Sequence, residues 1–194
     1  AVGQTTSLKT LTLTNSNGAT FNSAVTTGTS VVLSDTVAGQ TIRFADNLST
    51  PVLTTTAHGY HLELLGTATN VSAANTTTTF LNTGNLVLGN AAGDTLTFAG
   101  GLTATAPAAI NAAGTLGTTN AAMSLGDSNT ALMLTADVAL NTAGGSLTLG
   151  GAVNGTTANT ESLSLNAGTT GAVSVTGAVG QTTSLKTLTL TNSN

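Results

Sequence analysis

The sequence predicts an all-β chain and, within that class, a β-solenoid (parallel β-helix) of short stacked coils. Three observations lead there. Pairs of apolar residues separated by one residue recur along the whole chain, which is the period of a strand with one buried face. The opening segment, AVGQTTSLKTLTLTNSN at positions 1–17, returns unchanged at positions 178–194. The composition also lacks what other architectures are made of. Of 194 residues 44 are Thr, 18 Asn and 23 Gly, with no Trp or Cys and only 5% charged, where an ordinary domain carries about 25% charged residues.

In chain order, strands are predicted at Leu11-Thr-Leu13, Ile42-Arg-Phe44, Leu62-Glu-Leu64, Leu86-Val-Leu88, Leu96-Thr-Phe98, Met123-Ser-Leu125, Leu147-Thr-Leu149, Leu163-Ser-Leu165 and Val173-Ser-Val175. Asn, Gly, Asp and Ser cluster between them: Asn15 to Gly18, Asp46-Asn47, Gly89-Asn90, Gly93-Asp94, Gly126 to Asn129, Asn154-Gly155 and Asn166 to Gly168. These residues turn the chain at low cost. Pro51 and Pro107 fall outside the predicted strands, so no ladder loses a donor to them. The marks are spaced at about 25 residues. One series runs Leu96, Met123, Leu147, Val173; others link Leu62 to Leu86 and Leu163 to Leu188. Marks also occur in twos about ten residues apart, so each coil holds at least two strands. About seven coils of ~25 residues then fill a 177-residue unit.

A coil of that size cannot bury its own apolar face, but stacked coils can, each strand pairing in parallel with its equivalents above and below. Low charge suits such stacking, because like charges in register would repel while Thr and Asn ladders hydrogen-bond. The alternative, a string of β-sandwich domains, would show a repeat near half the unit and buried Trp or Tyr anchors. Residues 1–177 are therefore read as one solenoid unit and 178–194 as the start of the next identical copy, a window on a longer tandem array. On this reading Leu147, Leu149, Val173 and Val175 are buried, and Thr148 and Ser174 point outward. Leu11 and Leu188 share one interior strip, Lys9 and Lys186 point outward, and one unit advances about 34 Å at the strand spacing.

Phrases such as Ser184-Leu-Lys-Thr-Leu-Thr-Leu-Thr-Asn, Ala19-Thr-Phe-Asn-Ser-Ala-Val-Thr-Thr and Gly171-Ala-Val-Ser-Val-Thr-Gly-Ala-Val resemble the repeats of large secreted bacterial surface proteins, the filamentous-haemagglutinin-type adhesins and autotransporter passengers. The resemblance implies a β-helical shaft projecting from a bacterial cell, hence an extracellular or cell-surface location.

Chemistry is sparse. Three basic residues cannot neutralise a run of phosphates, which excludes nucleic acid as a partner. No apolar run approaches the roughly 20 residues of a membrane span. The acids Asp35, Asp46, Glu63, Asp94, Asp127, Asp137 and Glu161 are scattered, and Lys9, Arg43 and Lys186 are the whole basic inventory. No enzyme is expected, and no catalytic, cofactor-binding or metal residues are assigned. His58, Tyr60, His61 and Glu63 form the one dense polar cluster, read as a variable outward strand or loop, since two His and one Glu are too few to close a metal site. Gly93-Asp94 and Gly126-Asp127 echo fragments of calcium-binding nonapeptides but do not recur coil after coil, so they read as turns. Four sequons, at Asn47, Asn70, Asn75 and Asn154, are the chance yield of an Asn- and Thr-rich chain. Thr10, Thr12 and Thr14, Thr95 and Thr97, and Thr103 and Thr105 suggest the arrays of ice-binding solenoids, but marks such as Leu62-Glu-Leu64 interrupt them. The expected function is a structural module of a long extracellular fibre, stalk or sheath whose partners are adjacent copies of itself. The alternative is an adhesin module recognising glycan or another surface through an outward Thr/Asn face, and behind it an ice-binding solenoid. An outward row that never varies between coils would favour a binding face; varying rows favour a shaft.

Overall fold

The computed structural model describes residues 1–194. The chain forms 20 strands, all paired in parallel, and no helix. They wind into a β-solenoid of about eight turns with three faces. The first face carries Leu8–Leu13, the end of Val25–Leu33, Val52–Thr55, Thr78–Thr79, Leu102–Ala104, Met123–Leu125, Leu147–Leu149 and Val173–Val175. The second carries Ala19–Phe21, Thr41–Phe44, His61–Leu64, Leu86–Leu88, the starts of Ala109–Gly117 and Ala131–Asn141, and Val153–Gly155. The third carries the start of Val25–Leu33, then Leu48–Thr50, Ala68–Val71, Thr95–Phe98, the ends of Ala109–Gly117 and Ala131–Asn141, Ser162–Asn166 and Thr187–Asn192. Three long strands bend round a corner and serve two faces each, which joins the faces into common sheets.

The interior is built from the alternation in the sequence. On the second face Ala19, Ile42, Leu62, Leu86, Ile110, Leu132 and Val153 stack in register, with Phe21, Phe44, Leu64, Leu88, Ala112 and Leu134 two residues further on. The third-face row runs Val25, Leu48, Thr69, Leu96, Leu116, Leu140, Leu165 and Leu190. These rows and those of the first face merge into one core of 34 buried residues. Aromatic rings pair within and against it: Phe21 stacks on Phe44 with centroids 4.9 Å apart, and Phe80 meets Phe98 edge-on at 5.7 Å.

The register of Met123, Leu147 and Val173 is as the spacing predicts, and so are the pairs Leu62 with Leu86 and Leu163 with Leu188. Leu96 departs from its series. It lies on the third face opposite Leu116, and the residue stacked against Met123 is Leu102. A mark of the form apolar-x-apolar is the same on all three faces, so spacing alone can step from one face to another. Marks about ten positions apart are neighbouring faces of one coil, which has three strands.

Leu147 and Leu149 are fully buried. Val173 is half-buried and Val175 is 37% exposed, contrary to the expectation, because no strand lies above them. Leu8, Leu188 and Leu190 are exposed for the same reason at the two open ends. Thr148 is half-exposed, and Ser174, Lys9 and Lys186 are exposed.

The two identical segments do not occupy the same face. Leu11 pairs with Val31 on the first face, whereas Leu188 pairs with Leu163 on the third. Val2 likewise bridges Val25 on the third face, and its equivalent Val179 bridges Val153 on the second. The expectation of a shared strip fails because the coils differ in length and are shorter on average than the spacing suggests. Successive members of the third-face row, from Val2 and Val25 through Leu48, Thr69, Leu96, Leu116 and Leu140 to Leu165 and Leu190, are unevenly spaced along the chain. The stretch from Leu11 to Leu188, one full unit, therefore spans seven and two-thirds turns in place of seven.

Candidate functional site

The outward side chains of each face form three rows of different character. On the second face the row reads Thr20, Arg43, Glu63, Val87, Asn111, Met133, with an Arg43–Glu63 ion pair between successive coils; the next position, Asn154, is buried and accepts the amides of Thr182 and Thr183. On the third it reads Thr26, Ser49, Asn70, Thr97, Gly117, Asn141, Asn166, Asn192. Asn141 and Asn166 each accept the amide two residues on, at 3.0 and 2.9 Å, so they close turns. The Asn192 amide group lies 3.4 Å from the Asn166 side-chain oxygen, the start of an Asn ladder.

The first face differs. From the fourth turn onward its outward row is Thr79, Thr103, Ser124, Thr148 and Ser174, a hydroxyl at every coil, with no charged residue on any of the five strands. Nearer the amino terminus the outward positions are Thr12, Val32 and Thr54. The sequence alone obscures this row because Leu62-Glu-Leu64 and Leu86-Val-Leu88, which interrupt it in linear order, belong to another face. The signal was present in Met123-Ser-Leu125, Leu147-Thr-Leu149 and Val173-Ser-Val175, each with a hydroxyl between two apolar residues. Such a row can offer regularly spaced hydroxyls to an uncharged surface. It carries no group that could move a proton near neutral pH.

The His58, Tyr60, His61, Glu63 cluster is taken apart by the winding. Tyr60 is wholly buried, its hydroxyl donating to the Leu33 carbonyl at 3.4 Å. Burial pushes the pKa of this phenol up, against hydrogen bonds with Thr56 and Thr55 that act the other way. His61 Nδ1 accepts the Asn85 amide of the next coil at 2.8 Å, and Glu63 faces Arg43. His58 instead lies 3.8 Å from Asp35, with both side chains about half exposed. No three His, Cys, Asp or Glu side chains come close enough to hold a metal ion.

The acids serve the backbone. Asp94 is buried and its carboxylate accepts the amides of Asn90 and Ala91 at 2.8 and 3.0 Å. Asp127 accepts those of Asn129 and Thr130 at 2.8 and 2.9 Å. Both calcium-like fragments are thus turns closed by their own carboxylate. Glu161, also buried, accepts the Thr156 hydroxyl at 2.8 Å and the Thr157 amide at 3.2 Å. Desolvation by burial raises the pKa of this carboxyl, but the hydrogen bonds outweigh it and hold the group below its ordinary value. A shallow groove on the third face, beside the bulge in Ala131–Asn141, is lined by Thr115, Asp137, Ser162, Ser164, Thr187 and Thr189. Its one carboxylate, Asp137, is engaged by the Ser162 amide at 2.7 Å.

No helix of the chain is long and apolar enough to cross a membrane, which leaves strand-built spans unaddressed. Comparison with family models, curated proteins and solved structures gives no match to this chain.

Proposed function

We propose that the chain is a structural module of a long extracellular fibre, stalk or sheath, without catalytic activity, whose partners are further copies of itself. The observation that carries this reading is a repeat built into one continuous stack. Each strand pairs in parallel with its equivalents in the neighbouring coils, and the segment at 1–17 returns unchanged at 178–194 within that same stack, so one unit passes into the next without a break in the ladders. With only 5% charged residues in the chain, little opposes the pairing of one coil with another. Continuous backbone ladders would then carry tension along the axis. The resemblance of its phrases to secreted bacterial surface proteins supports a cell-surface setting. The test is sedimentation combined with electron microscopy of the purified chain. Concentration-dependent, end-to-end growth into thin rods is expected, and a clean monomer at high concentration would reject the reading.

A second reading is favoured by one observation, the uninterrupted row Thr79, Thr103, Ser124, Thr148 and Ser174. It is an adhesin module in which this row recognises a glycan or another uncharged surface. Thr103→Lys with Thr148→Lys would abolish such binding on a glycan array and leave rod formation intact. Ice recrystallisation assayed on the same variants separates the ice-binding case.

A further inference from the structure

We infer that where one 177-residue unit follows another, the second is rotated about the fibre axis by one face, a third of a turn, relative to the first. The chain itself contains both halves of the junction. As residues 178–194, the repeated segment shows what lies beneath it: Leu163 under Leu188 and Leu165 under Leu190. As residues 1–17, it shows what lies above it: Val31 over Leu11 and Leu33 over Leu13. Leu188 is Leu11 repeated and Leu190 is Leu13 repeated, so the two views describe opposite sides of one strand. Superposed, they form a continuous junction in which Leu163 and Leu165 sit below the repeated Leu pair and the equivalents of Val31 and Leu33 above it. The same residues turn inward in both views, so the rows continue without a slip.

Local conformation carries over at the entry turn, although the strand that follows runs Leu8–Leu13 in the first occurrence and Thr187–Asn192, the equivalent of Thr10–Asn15, in the second. Gly3 and Gly180, equivalent by sequence, have φ of +71° and +69°. What changes is the face. The segment lies on the first face at its first occurrence and the third at its second, and Val2 with Val179 gives the same two-thirds remainder independently. Both faces accept it because every coil presents similar aliphatic rows inward on each.

The consequence is a screw. Three units, or 23 turns, restore the original orientation, at about 110 Å along the axis for coils about 4.8 Å apart. The first-face hydroxyl row of one unit passes to another face in the next, so an array displays it all round the shaft. This deepens the fibre reading, but its test is separate and bears on the phase alone.

The chain has no cysteine, so a pair introduced on adjacent strands reports register directly. Strands about 4.8 Å apart place paired Cα atoms within disulfide reach. Ser164→Cys with Thr189→Cys, a pair in register on the third face, is expected to oxidise as fully as the interior reference pair Ser124→Cys with Thr148→Cys. Ser174→Cys with Thr189→Cys is expected to stay reduced, since only a whole-turn phase would bring Thr189 onto the first face. Cross-linking through Ser174 instead of Ser164, through both, or through neither overturns the inference. All the substituted positions are outward, so the fold tolerates the changes. Failure here would leave filament growth untouched, and failure of filament growth would leave this register standing.

Discussion

At the scale of single residues, the interior holds two orphaned polar atoms, Asn82 Oδ1 and Thr69 Oγ1. Thr69 takes a place in the third-face row otherwise held by Val and Leu, and its hydroxyl is buried without a hydrogen-bond partner. An unmade buried hydrogen bond costs on the order of 1 kcal/mol or more. Thr69→Val is therefore expected to raise the unfolding free energy by about 1 kcal/mol in chemical denaturation; a loss of stability would show that the hydroxyl is satisfied. Glu161 acts in the opposite sense. Its folded pKa is depressed, so its contribution is present above the ordinary carboxylate range, near 4.3, and is lost as pH falls through the folded value. Protection of the amides in residues 156–166, taken relative to their intrinsic exchange rates, should fall as the pH drops through the folded value of Glu161, and Glu161→Gln should remove that dependence. Protection that stays flat with pH in the parent chain would dismiss the assignment.

At the scale of strands and turns, alternation decides which side of the sheet a substitution meets. Leu149 is fully buried and Thr148 half-exposed on the same strand. Leu149→Asp places an unpaired charge in the core and should cost more than ~3 kcal/mol, while Thr148→Asp should cost less than ~1 kcal/mol. Thermal melts showing equal losses would reject this register. The turns obey a different constraint, the closeness of stacked backbones. A Cβ on Gly151 would stand 2.0 Å from the Thr130 carbonyl oxygen, and one on Gly177 would stand 1.9 Å from that of Gly151. The repeated phrase Gly-Ala-Val at 151–153 and 177–179 is therefore a stacking requirement. Gly151→Ala is expected to cost about 2 kcal/mol through forced backbone shifts. Gly93→Ala, where nothing lies within 4 Å, should be neutral or slightly stabilising. The same denaturation curve measures both.

At the scale of the whole molecule, length along the axis follows from the number of turns. Seven and two-thirds turns advance one unit by about 37 Å at the spacing of parallel strands, slightly more than seven turns would. Fibre diffraction or electron microscopy of an array should give that advance together with the strand spacing on the meridian. A string of two compact sandwich domains per unit, each roughly 35–45 Å long, would advance well beyond about 50 Å per unit.

Read along the chain alone, period-two alternation and turn residues settle the class of fold, nine of the 20 strands and the local register of Met123, Leu147 and Val173, because these are local properties; strands without an apolar-x-apolar mark, such as Leu48–Thr50 and Ala68–Val71, were not legible. The sequence groups His58, Tyr60, His61 and Glu63 as one polar cluster, but the winding buries Tyr60, turns Glu63 to Arg43 and leaves His58 beside Asp35, which no linear count reveals. How many strands make a coil, and which face each one joins, required the folded molecule. Leu102 rather than Leu96 lies beside Met123, and Leu188 lies a face away from Leu11, although both alternatives read alike in the chain. The first-face hydroxyl row was hidden for the same cause. Its members, from Thr79 to Ser174, are unevenly spaced, at intervals set by the length of every intervening turn. A coil closes when its inward side chains fill the space against the coils above and below, and that sum over three faces is not a property of any one segment.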